Sequence, residues 1–117
     1  MAKIKCIVKR PNEMYGHMTA ISNTLENLQR TVEGYIEPVF LGYKERDGQV
    51  VDIVILCNEE GKLQGLAPNM NLTYDILCGT IVVLGAEGDE FVDIPISFQE
   101  WKDIVRRYEV PEGRRMQ

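Results

Sequence analysis

Histidine and tryptophan each occur once in this chain of 117 residues, at His17 and Trp101, and cysteine occurs three times. A zinc site, or a Ser/His/Asp or Cys/His triad, would have to be centred on that single histidine, which reads as a strand or loop residue. Cys6, Cys57 and Cys78 include no Cys-x-x-Cys pair and sit in apolar runs, so they read as small buried hydrophobes with no metal to hold. There is no Gly-x-x-x-x-Gly-Lys-Ser/Thr, no Gly-x-Gly-x-x-Gly after a strand, no His-Glu-x-x-His and no Gly-x-Ser-x-Gly. Those absences weigh against an enzyme and against any resident cofactor. No apolar run approaches the roughly 20 residues of a membrane helix, and the start, Met1 to Lys5, lacks the apolar stretch of a secretory signal. The expectation is a cytoplasmic protein with no membrane partner.

Cations are also scarce. Thirteen Lys and Arg face eighteen Asp and Glu, a net charge of -5, which opposes nucleic-acid binding because that rests on cations neutralising phosphates. The imbalance is concentrated: residues 47 to 100 carry ten acidic side chains and one basic one, Lys62, between mildly basic ends. Such a block is either a solvated acidic surface or a face for a basic partner.

With 44% apolar and 26% charged residues, the composition is that of one ordinary globular domain. The run Lys3 to Lys9 reads as a strand, and Tyr15 to Ile21 as a weaker one returning beside it. Leu25, Leu28 and Val32 fall at helical spacing behind Asn23 or Thr24 as cap, with Glu26 placed to complete a capping box and Gly34 to end the helix. Tyr35 to Tyr43 is a strand whose Pro38 demands an edge or a bulge. Arg46-Asp47-Gly48 turns it into Val50 to Cys57, the strongest strand of the chain. A short returning strand is expected at Leu63 to Leu66, a loop at 67 to 71, and another strand at Thr80 to Leu84.

The last helix is the better marked of the two. Ser97 and Glu100 have capping-box spacing, and Phe98, Trp101, Val105 and Tyr108 form a stripe able to cover a sheet, with Lys102, Arg106 and Arg107 opposite. The sum is an α+β fold: a mainly antiparallel sheet with two helices packed on it, a single two-layer domain over residues 1–110 and a flexible tail over 111–117.

Candidate chemistry is limited to carboxylates and amides. Glu59 and Glu60 would face opposite ways on a strand but converge on a turn. The order of an N-terminal strand, Thr24-Leu25-Glu26-x-Leu28-Gln29, Gly34-Tyr35-Ile36-Glu37, an apolar strand into Cys57-Asn58-Glu59-Glu60-Gly61-Lys62-Leu63, then Gly65 to Asn69 and Asp75 to Thr80 resembles the domain of unknown function 3846 family. The resemblance covers about residues 3 to 90. It implies carriage by bacteriophages, plasmids and other mobile elements, no established activity, and signature polar positions at Glu37, Asn58, Glu59, Glu60, Asn69 and Asp75. The chain departs from that pattern at Met70, where the family implies a basic residue.

Those six residues are the candidate ligand-binding set, with no residue assigned as catalytic or as a metal ligand. The leading reading is a non-enzymatic accessory protein that binds or sequesters a small, nucleotide-like molecule, since Asn and Glu can bond ribose hydroxyls and base edges. The alternative is an acidic interaction module that inhibits a host protein, and a third is an enzyme working through Glu37, Glu59 or Glu60. A homo-oligomer is left open.

Overall fold

A computed structural model describes residues 2–108, so the expected tail at 111–117 lies outside the described residues. The chain forms β1 (Lys3–Lys9), β2 (His17–Ser22), α1 (Leu25–Val32), β3 (Ile36–Arg46), β4 (Gln49–Asn58), β5 (Pro68–Asn71), β6 (Ile76–Cys78), β7 (Ile81–Glu87), β8 (Glu90–Val92) and α2 (Phe98–Tyr108). The main sheet has the order β2-β1-β7-β4-β3 with β8 also paired to β7, and β5 and β6 form a separate two-stranded ribbon. Every pairing is antiparallel, and with two helices on the sheet the class is α+β, as the pattern predicts. No helix among the described residues is long and apolar enough to cross a membrane.

Alternation decides the two faces. Ile7, Ile53, Ile55, Ile81 and Val83 point to one side, where Trp101 and Val105 of α2 and Met70, Leu72 and Leu77 around the ribbon cover them. Cys6, Val8, Val54, Leu56, Val82 and Leu84 point to the other, where Leu28 and Val32 of α1 cover them. The helices therefore take opposite faces and the domain has three layers where the sequence predicts two. A helical stripe reports that one side of a helix is buried, and says nothing of which side of the sheet receives it.

Local chemistry explains most boundaries. The β3–β4 turn pairs Arg46 with Gln49, and both Asp47 (φ 48°) and Gly48 (φ 79°) have the positive φ of a two-residue type I′ turn. β3 is the sheet edge and also carries a bulge between Phe40 and Gly42, so both alternatives that Pro38 raised are present. Thr24 is the α1 cap, its Oγ1 accepting from the Asn27 N–H. Glu26 thus falls one position short of closing a capping box and pairs with Arg30 instead.

Glycine does not end α1. Glu33 takes the left-handed conformation (φ 64°), and the N–H groups of Glu33 and Gly34 reach back to Arg30 and Gln29, a Schellman closure. A second Schellman closure governs residues 61–66, with Leu66 N–H on Gly61 O, Gly65 N–H on Lys62 O and Gly65 at φ 71°. The strand predicted at Leu63 to Leu66 is therefore a helical turn. The loop predicted at 67 to 71 holds β5 instead, because Pro68 occupies the first strand position, where its missing N–H costs least.

At α2 the capping box is reciprocal: Ser97 N–H donates to Glu100 Oε1 and Glu100 N–H donates to Ser97 Oγ. Trp101 is fully buried and its Nε1–H donates to Tyr15 O at 2.8 Å. Lys102 is not on an idle face, since its ammonium lies 5.7 Å from the Tyr15 ring and 5.6 Å from that of Phe98. Trp101→Ala should cost about 3–5 kcal/mol, whereas Lys102→Ala should cost only about 0.5–1 kcal/mol of cation–π attraction. Denaturant titration of the two variants checks the ranking; a Trp101→Ala loss below that of Lys102→Ala would contradict the packing.

Candidate functional site

The site begins where β4 runs out. Asn58, the last residue of β4, is buried, and its Nδ2 shares two protons among Val32 O (3.2 Å), Glu33 O (3.1 Å) and Gln64 Oε1 (3.1 Å). Two of those acceptors are carbonyls at the C-terminal end of α1, which lack partners inside the helix. Asn58 Oδ1 accepts from the Glu60 N–H at 2.8 Å and so starts the turn that carries Glu59 and Glu60. This close contact is what Gly34 permits: a Cβ there would fall 2.6 Å from Asn58 Nδ2.

In front of Asn58 lies a cavity of about 270 Å³, lined by Glu37 and Cys57 from paired positions on β3 and β4, Asn58 to Leu63 from the turn, and Asp75 to Cys78 around β6. Five of the six candidate residues, Glu37, Asn58, Glu59, Glu60 and Asp75, meet here. Asn69 does not. It is buried on the far side of the ribbon's root, where its Nδ2 donates to Lys9 O and Gly79 O and its Oδ1 accepts from Lys9 Nζ at 2.6 Å. Its role is to seat Lys9, itself 1% exposed, at the end of β1. Met70, where the family pattern implies a cation, is buried in the α2-side core and offers no contact to a ligand.

Charge in the cavity is mostly acidic. Lys62 is the one cation there and is ion-paired with Asp75. Asp75 is held below the ordinary carboxylate range chiefly by its hydrogen bond from Lys62, and Lys62 is raised above the ordinary lysine range by the same bond. Among the described residues the carboxylates of Glu37, Glu59 and Glu60 accept no hydrogen bond, so their oxygens are open to a ligand. Burial pushes the Cys57 thiol up to about 11, with Glu37, Asp75 and Cys78 adding to the shift, so it is a neutral S–H at pH 7 and a poor nucleophile. No cluster of His, Cys, Asp and Glu able to hold a metal occurs among the described residues.

Comparison with protein-family models matches residues 4–109 to a domain of unknown function (DUF3846). The chain belongs to this family. The match takes in both helices and the strands from Ile4 onward, running past residue 90, where the resemblance stops. No curated protein and no solved structure matches the chain. Within this DUF3846 chain, the signature polar residues divide into two that hold the backbone, Asn58 and Asn69, and three carboxylates left facing the cavity, with Asp75 paired at the rim.

Sequence reasoning did not find Lys9, Gly34, Gln64 or Cys78 as parts of this architecture. Gln64 had no signal, being one amide in a turn; Gly34 had one, since a glycine beside a helix end commonly marks a close approach as well as a left-handed turn.

Asn58→Ala should cost about 2–3 kcal/mol through the buried acceptors it strands. Gly34→Ala should also destabilise, but less in the Asn58→Ala background, where the added Cβ has room. Strict additivity in denaturant titrations of the double-mutant cycle would refute the contact. A second test is by pH. Because Asp75 is lowered in the folded chain, the pair's contribution is present above the unfolded carboxylate pKa of about 3.9 and is lost as pH falls through Asp75's own value; Lys62, being raised, retains it until pH rises past about 10.4. NMR titration should put the Asp75 midpoint below about 3.9 and return it upward in Lys62→Ala.

Proposed function

We propose that this chain is a non-enzymatic accessory protein of a phage or other mobile element, binding a small molecule in the cavity between β4, the Asn58–Gly65 turn and β6. The mobile-element setting rests on the family resemblance. The binding reading rests on one observation: five polar positions from three separate stretches of the chain line one concavity, and three of their carboxylates accept no hydrogen bond among the described residues. A volume of about 270 Å³ suits a ligand at or just under the size of a nucleoside.

The acidity narrows the ligand. Asn58 has its amide fully engaged, so ribose hydroxyls or exocyclic amines would be held by Glu37, Glu59 and Glu60 as acceptors. A phosphate would meet three carboxylates and one already paired lysine, so the expected ligand is the donor-rich part of a nucleotide-like molecule, or an amine, with any phosphate directed to solvent. The neutral Cys57 thiol supports binding over covalent catalysis.

Protein purified from its native host and then denatured should release one defined small molecule by mass spectrometry. The empty protein should show a thermal shift with a nucleoside or amine of a screening panel, weakened about tenfold in affinity by Glu37→Gln or Glu60→Gln. Repeatedly clean preparations together with a flat thermal panel would overturn the proposal.

A further inference from the structure

The two faces of the sheet are covered unequally. On one face α2, the β5–β6 ribbon and their loops seal the core. On the other, α1 is alone, and its eight residues span about 12 Å against strands β3 and β4 of eleven and ten residues, each over 30 Å long. Its line is fixed at both ends. Asn23 Nδ2 donates to Phe91 O at 3.1 Å just before the helix, and Asn58 Nδ2 holds the carbonyls at its far end. α1 therefore crosses the sheet from the β8 side to the end of β4, and the opposite corner, the turn-proximal halves of β3 and β4, has no helix over it.

That corner is apolar and open. Register places Phe40 opposite Val54 and Tyr43 opposite Asp52, and Val50 opposite Glu45, all on the α1 face. Phe40 is 59% exposed, Tyr43 62% and Val50 52%. The charge on this corner is acidic: Glu45 and Asp52 share its face, Asp52 lying between Tyr43 and Ala86, and Asp47 and Asp89 sit at the two adjoining turns, while Glu87 and Glu90 pair with each other on the α2 face. The two cations of this hairpin are turned to the other face, Lys44 to Glu100 and Arg46 to Pro95 O.

We infer that this corner docks a cationic amphipathic helix of a partner protein. Charge complementarity names the occupant. A second copy would set Glu45, Asp52 and the turn carboxylates Asp47 and Asp89 against their like, and an anionic lipid or nucleic acid would be repelled in the same way. The dimensions agree: from β3 across β4 to β7 is about 10 Å, the width of one helix, and Phe40 to Glu45 is about 16 Å, roughly three helical turns. The incoming helix would lie beside α1 and complete the layer, with apolar residues on Phe40, Tyr43 and Val50 and Lys or Arg reaching Glu45, Asp52 and the turn carboxylates Asp47 and Asp89.

The test uses the full chain and two designed peptides of identical Leu, Lys and Ala composition, one with its Leu on a single helical face and one with Leu scattered around the helix. Titration followed by fluorescence anisotropy should give saturable binding of the amphipathic peptide at least about tenfold tighter than of the scattered one. Phe40→Ser should weaken it about tenfold or more, and Asp52→Asn should flatten its decline between about 50 and 500 mM salt. Circular dichroism and unfolding midpoints certify that both variants remain folded. Equal binding of the two peptides, no effect of Phe40→Ser, or no binding at all would overturn the inference. So would a concentration-dependent dimer in sedimentation that Phe40→Ser abolishes, since the face would then belong to a second copy.

Discussion

β7 hydrogen-bonds β1 along one edge and β4 along the other, and no other element joins the N-terminal hairpin to the β3–β4 hairpin within the main sheet. Its residues Ile81 to Leu84 are fully buried, alternately beneath α2 and beneath α1, so one short apolar run serves two cores. A strand in that position must be apolar on both sides, which is why the run shows no period-2 alternation. In the chain it follows both hairpins that it bridges. The sheet is thereby made of local antiparallel pairs closed by one long-range insertion.

From that insertion the site follows. Docking β7 against β4 fixes the direction in which β4 ends, and Asn58 at that end converts a strand terminus into a bracket for α1 and for the turn after it. The ribbon leading into β7 is held at its root by Asn69 on Lys9 and Gly79, its outer end brings Asp75 to the cavity, and Cys78 lines the cavity from the root. The cavity is the gap left between two structures that meet β7 from opposite sequence directions. Asn58 holds the turn wall with its polar atoms satisfied, while the carboxylates come from three places: Glu37 on β3, Glu59 and Glu60 on the turn, and Asp75 at the ribbon.

How far the sequence carried this depends on the range of each interaction. Motifs that close on themselves within three or four residues were legible: the Ser97–Glu100 box, the Asp47-Gly48 turn, the α2 stripe and the buried Cys6 and Cys57. Five of the six candidate residues are legible as neighbours, through resemblance, but their roles are not. Asn58 and Asn69 spend their amides on backbone carbonyls up to 60 residues away, a duty that no local pattern announces. Likewise Leu63 to Leu66 has the composition of a short strand, and only the geometry at Gly65 shows it closing a helical turn.

The same pair of anchors accounts for both the filled and the empty parts of the α1 face. Asn23 and Asn58 tie α1 at its two ends, and the Schellman closure at Glu33 stops it from growing toward β3. Growth would in any case be blocked, since any side chain at position 34 collides with the asparagine that shapes the cavity. Phe40 and Tyr43 lie off the line that these anchors fix, toward the β3–β4 turn, so α1 leaves them uncovered. The exposed corner therefore follows from where α1 is anchored, and of its carboxylates Asp47, Asp52 and Asp89 lie in the stretch of chain, 47 to 100, that is nearly without basic residues. Apolar side chains interleaved with carboxylates repel a like surface while remaining attractive to a cationic one, which puts self-avoidance and partner choice in one set of side chains.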